Sequence, residues 1–340
     1  MSMLAFVSFV AFATLTIPQH SGSLSSLRGK VRVEGTSHGL VHVELRRLRE
    51  RAEGTSEDFD PRTLHARRAD ASILAGPDGA FAIDTAAGSY AVFAFVDVNG
   101  DGTWTPAVPE PCGWLLRVDV PHRDAEDLQL TLRAPMPLPK ADRVLANGAL
   151  RWQRGYPIVQ LHGDPAERGH AHGELLAAQI VDFFRFYVLQ DRLGSANAYR
   201  EFAAFLDRAF VWPEPFLREI DGVLAGMHDS GANLKLAELG RDFGRTELLA
   251  INAYIETRAM RSSCTQFVCW GERTAGTDVG GGTIAGRNMD GECDLRRVTV
   301  SHFVMFAVTP SEPGQKRYVS MMWPGFVGTL SGFNEAGVHC

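Results

Sequence analysis

The sequence predicts an α+β chain, because three patterns follow one another along it. Short alternating apolar runs fill the first part, apolar residues three to four apart fill the middle, and alternating runs return at the end. A period of two marks strands with one buried face, and a spacing of three to four marks the buried stripe of a helix. A chain of 340 residues has room for two or three domains, and 45% apolar with 22% charged residues is an ordinary globular composition. The net charge of −6 offers no basic footprint, which argues against nucleic acid as a partner.

Residues 1–21 open the chain with Leu4, Phe6, Val7, Phe9, Val10, Phe12 and Leu15, an apolar run too short to span a bilayer with certainty of fit. The run reads as the apolar core of a secretory signal peptide ending near Ser21, which predicts a secreted or periplasmic protein. A membrane anchor formed by the same N-terminus is the alternative.

Residues 25–135 read as an all-β sandwich. Val31 and Val33 alternate, as do Val41, Val43 and Leu45, then Leu116, Val118 and Val120, then Leu128, Leu130 and Leu132. Asp78-Gly79 is a hairpin-type turn signal, and Tyr90 to Val96 is a longer apolar run. Arg47 to Ala69 is charged and weakly patterned, so a long loop is expected there. The pattern resembles transthyretin-like or carboxypeptidase-regulatory accessory domains, which implies a spacer or docking unit. Inside it, Asp97-Val98-Asn99-Gly100-Asp101-Gly102 matches the first half of a calcium loop, with oxygen side chains at alternate positions and a glycine for the turn. Val108 stands where the closing Glu belongs, and Glu110 is the nearest substitute. A polar loop between strands and a structural calcium ion held by Asp97, Asn99 and Asp101 are therefore both open readings.

Pro135 to Pro139 is a stiff boundary, and residues 136–263 then read as helical. Asp164-Pro165-Ala166-Glu167 combines an N-cap Asp, a first-turn Pro and a Glu at the third position. Leu176, Ile180, Phe183, Phe184 and Tyr187 continue that helix as an apolar stripe. Phe202, Phe205, Leu206 and Phe210 mark a second helix, Phe216, Ile220, Val223, Leu224 and Met227 a third that stops at Gly231, and Glu247 to Met260 a fourth. From Cys264 on, Cys264 to Trp270, Thr283 to Asn288, Val298 to Val308 and Tyr318 to Met322 read as strands.

The five cysteines are Cys112, Cys264, Cys269, Cys293 and Cys340, so at least one thiol is unpaired within the chain. Cys264 and Cys269 have no matching second pair, which argues against a zinc ribbon. His162, His170 and His172 read as packing residues, since no carboxylate accompanies them at coordinating spacing. No cofactor is required by this reading.

Four segments in order carry a more specific resemblance. Leu161-His162-Gly163-Asp164-Pro165-Ala166-Glu167-Arg168-Gly169-His170-Ala171-His172-Gly173 comes first, and Cys264-Thr265 opens the second after Ser262-Ser263. Gly286-Arg287-Asn288-Met289-Asp290 and Gly332-Phe333-Asn334-Glu335-Ala336-Gly337-Val338 follow. From Leu161 on, the chain resembles the isopenicillin-N (6-aminopenicillanic acid) acyltransferase family of N-terminal-nucleophile cysteine hydrolases; the third segment is shared with bile-salt and penicillin-V hydrolases. The resemblance implies a four-layer αββα sandwich beginning at residue 264, with residues 136–263 as a helical pro-segment. It also implies self-cleavage between Ser263 and Cys264 into two parts that stay associated. Residues 264–340 are few for such a sandwich, so the chain reads as a C-terminally truncated start of one, with an oxyanion-hole Asn expected beyond Cys340.

The chemistry follows from the residue types. The thiolate is the reactive form of cysteine, and a freed α-amine titrates near neutrality, so an N-terminal Cys264 carries both nucleophile and base. The resemblance implies that Arg287 lies beside the thiol and that Asp290 orients the amine. It leaves Thr265, Asn288 and Asn334 in the substrate or oxyanion region. The predicted activity is hydrolysis or transfer of the acyl group of a small linear amide through a thioester. An exported β-sandwich binding module fused to a non-catalytic remnant is the alternative.

Overall fold

The computed structural model describes residues 24–50, 59–60, 64, 67–105, 110–120, 125–254, 264–288 and 294–340. The signal-like residues 1–21, Ser263 and Asp290 lie outside the described residues.

Seven strands form the N-terminal sandwich. They are β1 (Ser25–Val33), β2 (Leu40–Arg47), β3 (Ala71–Leu74), β4 (Ala80–Thr85), β5 (Gly88–Asp97), β6 (Cys112–Val120) and β7 (Ala125–Leu132). One sheet has the order β4-β1-β7 and the other β3-β2-β5-β6. Of the alternating residues named above, Val31, Val43, Leu45, Val118, Val120, Leu130 and Leu132 are buried between the sheets, where Leu27, Phe81, Ile83 and Val92 join them in one core, whereas Leu116 is exposed. Two details differ from the sequence reading. The Asp78-Gly79 turn forms, with Gly79 at φ +78°. It is no hairpin, however, because β3 pairs with β2 and β4 pairs with β1, so the turn crosses from one sheet to the other. The run Tyr90 to Val96 is apolar on both faces for a reason: Tyr90, Val92, Ala94 and Val96 fill the sandwich core, while Ala91, Phe93 and Phe95 enter a second cluster on the outer face.

The rest of the described chain is built around one six-stranded sheet. After the proline linker come β8 (Arg143–Leu145), β9 (Gly148–Gln153) and β10 (Tyr156–Gly163), strands that the helical reading of residues 136–263 missed. The buried Val159 and Leu161 alternate along β10, but a run of two such positions is too short to mark a strand by itself. Helices α1 (Pro165–Asp182), α2 (Ala196–Ala209), α3 (Glu214–Asp229) and α4 (Arg245–Ala253) follow, with α1 continuing as a π-helical stretch over Phe183–Leu193. Short strands β11 (Lys235–Leu236) and β12 (Arg241–Asp242) pair between α3 and α4. Beyond Cys264 lie β13 (Thr265–Cys269), β14 (Ile284–Asn288), a short helix α5 (Val298–Ser301), β15 (Val304–Pro310), β16 (Tyr318–Met322) and β17 (Gly332–Asn334). The expected strand from Val298 thus starts as a helical turn: Asp294 accepts from the amides of Val298 and Thr299 at 2.9 and 3.0 Å and caps it.

The sheet order is β17-β16-β15-β10-β9-β8. Its centre joins the two sides of Cys264, since β10 runs parallel to β15 from Ile158↔Met305 to Gly163↔Pro310. The boundary at residue 263 is therefore not a boundary of the fold. The mixed α+β class is as expected. From residue 136 on, the described residues form one six-stranded sheet and two separate two-stranded ones, β11-β12 and β13-β14.

The histidine- and glycine-rich segment before Cys264 is explained by helix packing. The N-cap Asp164 and Glu167 form a reciprocal capping box at the start of α1. Gly169 and Gly173 on α1 face Gly222 and Gly226 on α3. A side-chain carbon at Gly173 would sit 1.9 Å from the Val223 carbonyl oxygen, and one at Gly226 would sit 1.9 Å from that of His170. The two helix backbones touch, and only glycine fits between them. Arg168 seals the end of this contact, with Nε 2.7 Å from Glu219 of α3 and Nη1 2.8 Å from Glu312. His172 is buried and neutral: burial pushes its imidazole down to about 3, and its Nε2 accepts from the Gly325 amide at 3.0 Å.

Candidate functional site

The site around Cys264 is positioned by hairpin geometry. β13 and β14 pair antiparallel, with Gln266 opposite Arg287 and Thr265 opposite Asn288. Side chains alternate along a strand, so Cys264 and Gln266 share one face. Arg287, opposite Gln266, shares it too and lies on the diagonal to Cys264. The result is an Arg287 Nη2 to Cys264 Sγ distance of 3.8 Å. The guanidinium thus lies within hydrogen-bonding reach of the sulfur.

Arg287 is itself held. Its Nη1 donates to the Leu330 carbonyl, in the turn between β16 and β17. That turn is fixed by residues that precede Cys264 in the chain. Asn252 of α4 donates to the Gly325 carbonyl at 2.8 Å and accepts from the Val327 amide at 3.0 Å. His172 of α1 accepts from Gly325, and Trp323 and Phe326 pack with Phe183 and Tyr254. Helices from before Cys264 thus support the carbonyl that orients Arg287 after it. Sequence reading missed Leu330, because a backbone carbonyl has no residue signature. It took His172 for packing, which is how it acts here, though the loop it supports leads to the site.

The other expected site residues separate. Thr265 and Asn288 are exposed and oppose each other on the hairpin face away from Arg287. Asn334 is engaged in a turn, its Oδ1 accepting from the amides of Ala336 and Val338 at 3.0 Å each. Glu335 pairs with Arg317 at 2.7 Å. The hairpin carries a large apolar exposure: Phe267 is 58% exposed and Trp270 62%. Phe267 covers Gly286 across the strand pair, where a side-chain carbon would lie 2.3 Å from the ring. The four described cysteines, Cys112, Cys264, Cys269 and Cys340, form no disulfide with one another.

The calcium-type loop closes on itself. Asp97 Oδ1 accepts from the amides of Gly100 and Asp101 at 2.7 and 3.2 Å, and its Oδ2 from Gly102 at 2.9 Å. Asn99 accepts from the Asp101 amide, Asp101 from the Thr103 amide, and Glu110 bridges the amides of Val98 and Thr105. Among the described residues no group of three or more His, Cys, Asp or Glu side chains is arranged to hold a metal ion. Among the described residues no helix is long and apolar enough to cross a membrane.

No protein-family description and no curated protein matches the chain. Among solved structures, it is similar to a crystal structure of a DUF3823 family protein from Parabacteroides merdae ATCC 43184, at 17% identity and a TM-score of 0.19. The match covers 38% of this chain and spans 56% of the length of that one.

Proposed function

We propose that the chain is an autoprocessed N-terminal-cysteine amidohydrolase acting on a small linear amide, with Cys264 as nucleophile. The observation that carries this reading is the 3.8 Å approach of the Arg287 guanidinium to the Cys264 sulfur. A second guanidinium nitrogen is anchored on the Leu330 carbonyl, so the cation is aimed rather than left to solvent.

In the first step the Cys264 thiol attacks the Ser263 carbonyl. The peptide C–N bond breaks, the acyl group moves to sulfur, and the freed α-amine takes a proton. Water then opens the thioester and leaves Cys264 as an N-terminus. In turnover the amine accepts the thiol proton, the thiolate attacks the amide carbonyl, and the amine returns the proton to the leaving nitrogen. Water resolves the second thioester. Arg287 stabilises the sulfur's charge, and Asp290 orients the amine. The β10–β15 pairing supports the expectation that the two products stay together, since cleavage leaves that ladder intact. Hydrolysis is favoured over acyl transfer if the N-terminus directs export, because an exported enzyme would not meet acyl-coenzyme A.

One observation favours the second reading, a β-sandwich binding module with a non-catalytic remnant: the Asn334 side chain caps its own turn. Intact-mass measurement separates the two. Two fragments dividing between Ser263 and Cys264, and one uncut chain in Cys264→Ala, are expected. A chain that stays whole yet hydrolyses amides would sink the autoprocessing step.

A further inference from the structure

A cleft of about 470 Å³ opens where the N-terminal sandwich meets the π-helical stretch, and its described lining holds Arg117, Arg133 and Arg296 but no carboxylate. Arg117 and Trp114 come from β6, Arg133 follows β7, and Arg296 precedes α5. Gln190, from the π-helical stretch, lines the opposite side. Small-molecule sites span about 300 to 1,000 Å³ and gather at such junctions between parts of a fold.

A β-bulge shapes the sandwich side of the cleft. β5 and β6 pair at Phe93↔Trp114 and Val92↔Leu115, and pairing resumes at Tyr90↔Val118. β6 therefore carries one residue more than β5 over this step. Leu116 and Arg117 are both exposed as a result, where strict alternation would turn one of them inward. Half-buried Trp114 and Leu116, 41% exposed, give the cleft an apolar surface, and Arg117 sets a cation beside it.

Arg296 is the cation that no carboxylate meets. Half-buried, it stacks between Trp114 and Phe186, its guanidinium 4.5 and 4.4 Å from the ring centroids. Nε donates to the Arg133 carbonyl at 3.4 Å, Nη1 to Gln190 at 3.0 Å and Nη2 to the Cys112 carbonyl at 2.6 Å. All these acceptors are neutral, and each terminal nitrogen carries a second N–H. Arg117 has Asp119 at 2.9 Å, and Arg133 has Glu34 at 2.6 Å and Glu238. Among the described residues Arg296 forms no such pair. Burial pushes its guanidinium down, and the neighbouring Arg133 charge acts in the same direction. A partly desolvated cation without a counter-charge is unfavourable, and an anion in the cleft would supply one.

We propose that this cleft binds a small organic anion, a carboxylate or phosphate group carried on an apolar body. The charged group meets Arg296 and Arg117, and the apolar body lies on Trp114 and Leu116. A guanidinium suits either group, since its forked donors match two oxygens. The site stands apart from Cys264 and does not depend on its being a nucleophile. It makes the sandwich a ligand-holding part of the chain rather than a spacer.

Equilibrium dialysis of the full chain tests this with benzoate, phenyl phosphate, benzamide and inorganic phosphate. Benzoate or phenyl phosphate is expected to bind saturably, with a dissociation constant near or below about 1 mM. The tighter of the two identifies the preferred charged group. Benzamide keeps the ring without the charge, and inorganic phosphate the charge without the ring. Both are expected to bind at least about tenfold more weakly than the tighter aromatic anion. Arg296→Gln and Leu116→Asp are each expected to weaken that anion at least about tenfold, the second by setting a like charge in its path. Leu116→Met is expected to keep the parent affinity. Leu116 is exposed, so Leu116→Asp carries the reading if Arg296→Gln does not fold. The proposal is overturned if neither aromatic anion binds, if benzamide or inorganic phosphate binds as tightly, or if Leu116→Asp leaves the affinity unchanged.

Discussion

The α1–α3 contact and the β13-β14 hairpin are both flagged by short motifs, and they differ in how far packing accounts for them. In the first, every flagged residue is engaged by the fold. Asp164 and Glu167 cap a helix, Arg168 joins two carboxylates, Gly169 and Gly173 admit a neighbouring backbone, and His172 accepts an amide. In the second, Arg287 aims at a sulfur, and large apolar side chains face outward. A motif whose groups are consumed by packing reports the fold. One whose groups remain directed at a reactive atom is where the proposed chemistry is placed.

The largest effect expected from this contrast is at the glycines. Gly226→Ala would force apart two backbones that leave 1.9 Å for the new carbon. A loss of at least about 3 kcal/mol in denaturant unfolding is expected, since strain of this kind cannot relax through a side chain. Gly276→Ala, in the turn between β13 and β14, meets nothing within 4 Å. A change within about 0.5 kcal/mol is expected there. Equal losses at the two sites would break the comparison.

Acid is the next lever. The folded value of His172 is about 3, below its ordinary 6.5, and that of His302 is about 4, in both cases because burial disfavours the cation. The unfolded chain therefore binds protons first at these two sites, so their contribution to stability is full above about pH 6.5 and is lost as pH drops through the folded values, offset in part by Asp182, whose carboxyl burial raises to about 6. The His172 shift corresponds to about 5 kcal/mol between neutral pH and pH 3. Urea melts across that range should show it. Cys264→Ala should leave the slope unchanged, and a slope removed by Cys264→Ala would sink the assignment to His172.

What the sequence made legible follows the same division. Period-two runs found the sandwich, and spacing of three to four found α1 to α4, because burial on one face leaves a periodic trace. β8 to β10 left little trace, and the pairing that places them in the large sheet, β10 with β15, joins residues more than a hundred positions apart. Cys264 and Arg287 were legible as types at a spacing. The Leu330 carbonyl that aims Arg287 was not, because a backbone acceptor is the same in every residue. Asp290 stands outside the described residues, so its expected role stays with the proposal.

The Asp97 loop is the intermediate case, and it gives the smallest expected effect. By pattern it resembles a cation site, yet its side-chain oxygens are engaged by the loop's own amides, three of them at Asp97 alone. Applied here, the division predicts a structural loop. Asp97→Ala removes the charged acceptor for those amides and should cost about 2 kcal/mol, the scale of hydrogen bonds made to a charged group. Millimolar calcium should then move the melting temperature of the parent chain by less than about 1 °C, because only a ligand that binds the folded state stabilises it. A calcium-dependent gain of several degrees that Asp97→Ala abolishes would show that amide engagement and cation binding coexist in this loop. The division between packing motifs and chemical ones would then need a second criterion, the lone pairs each oxygen keeps after its amide is satisfied.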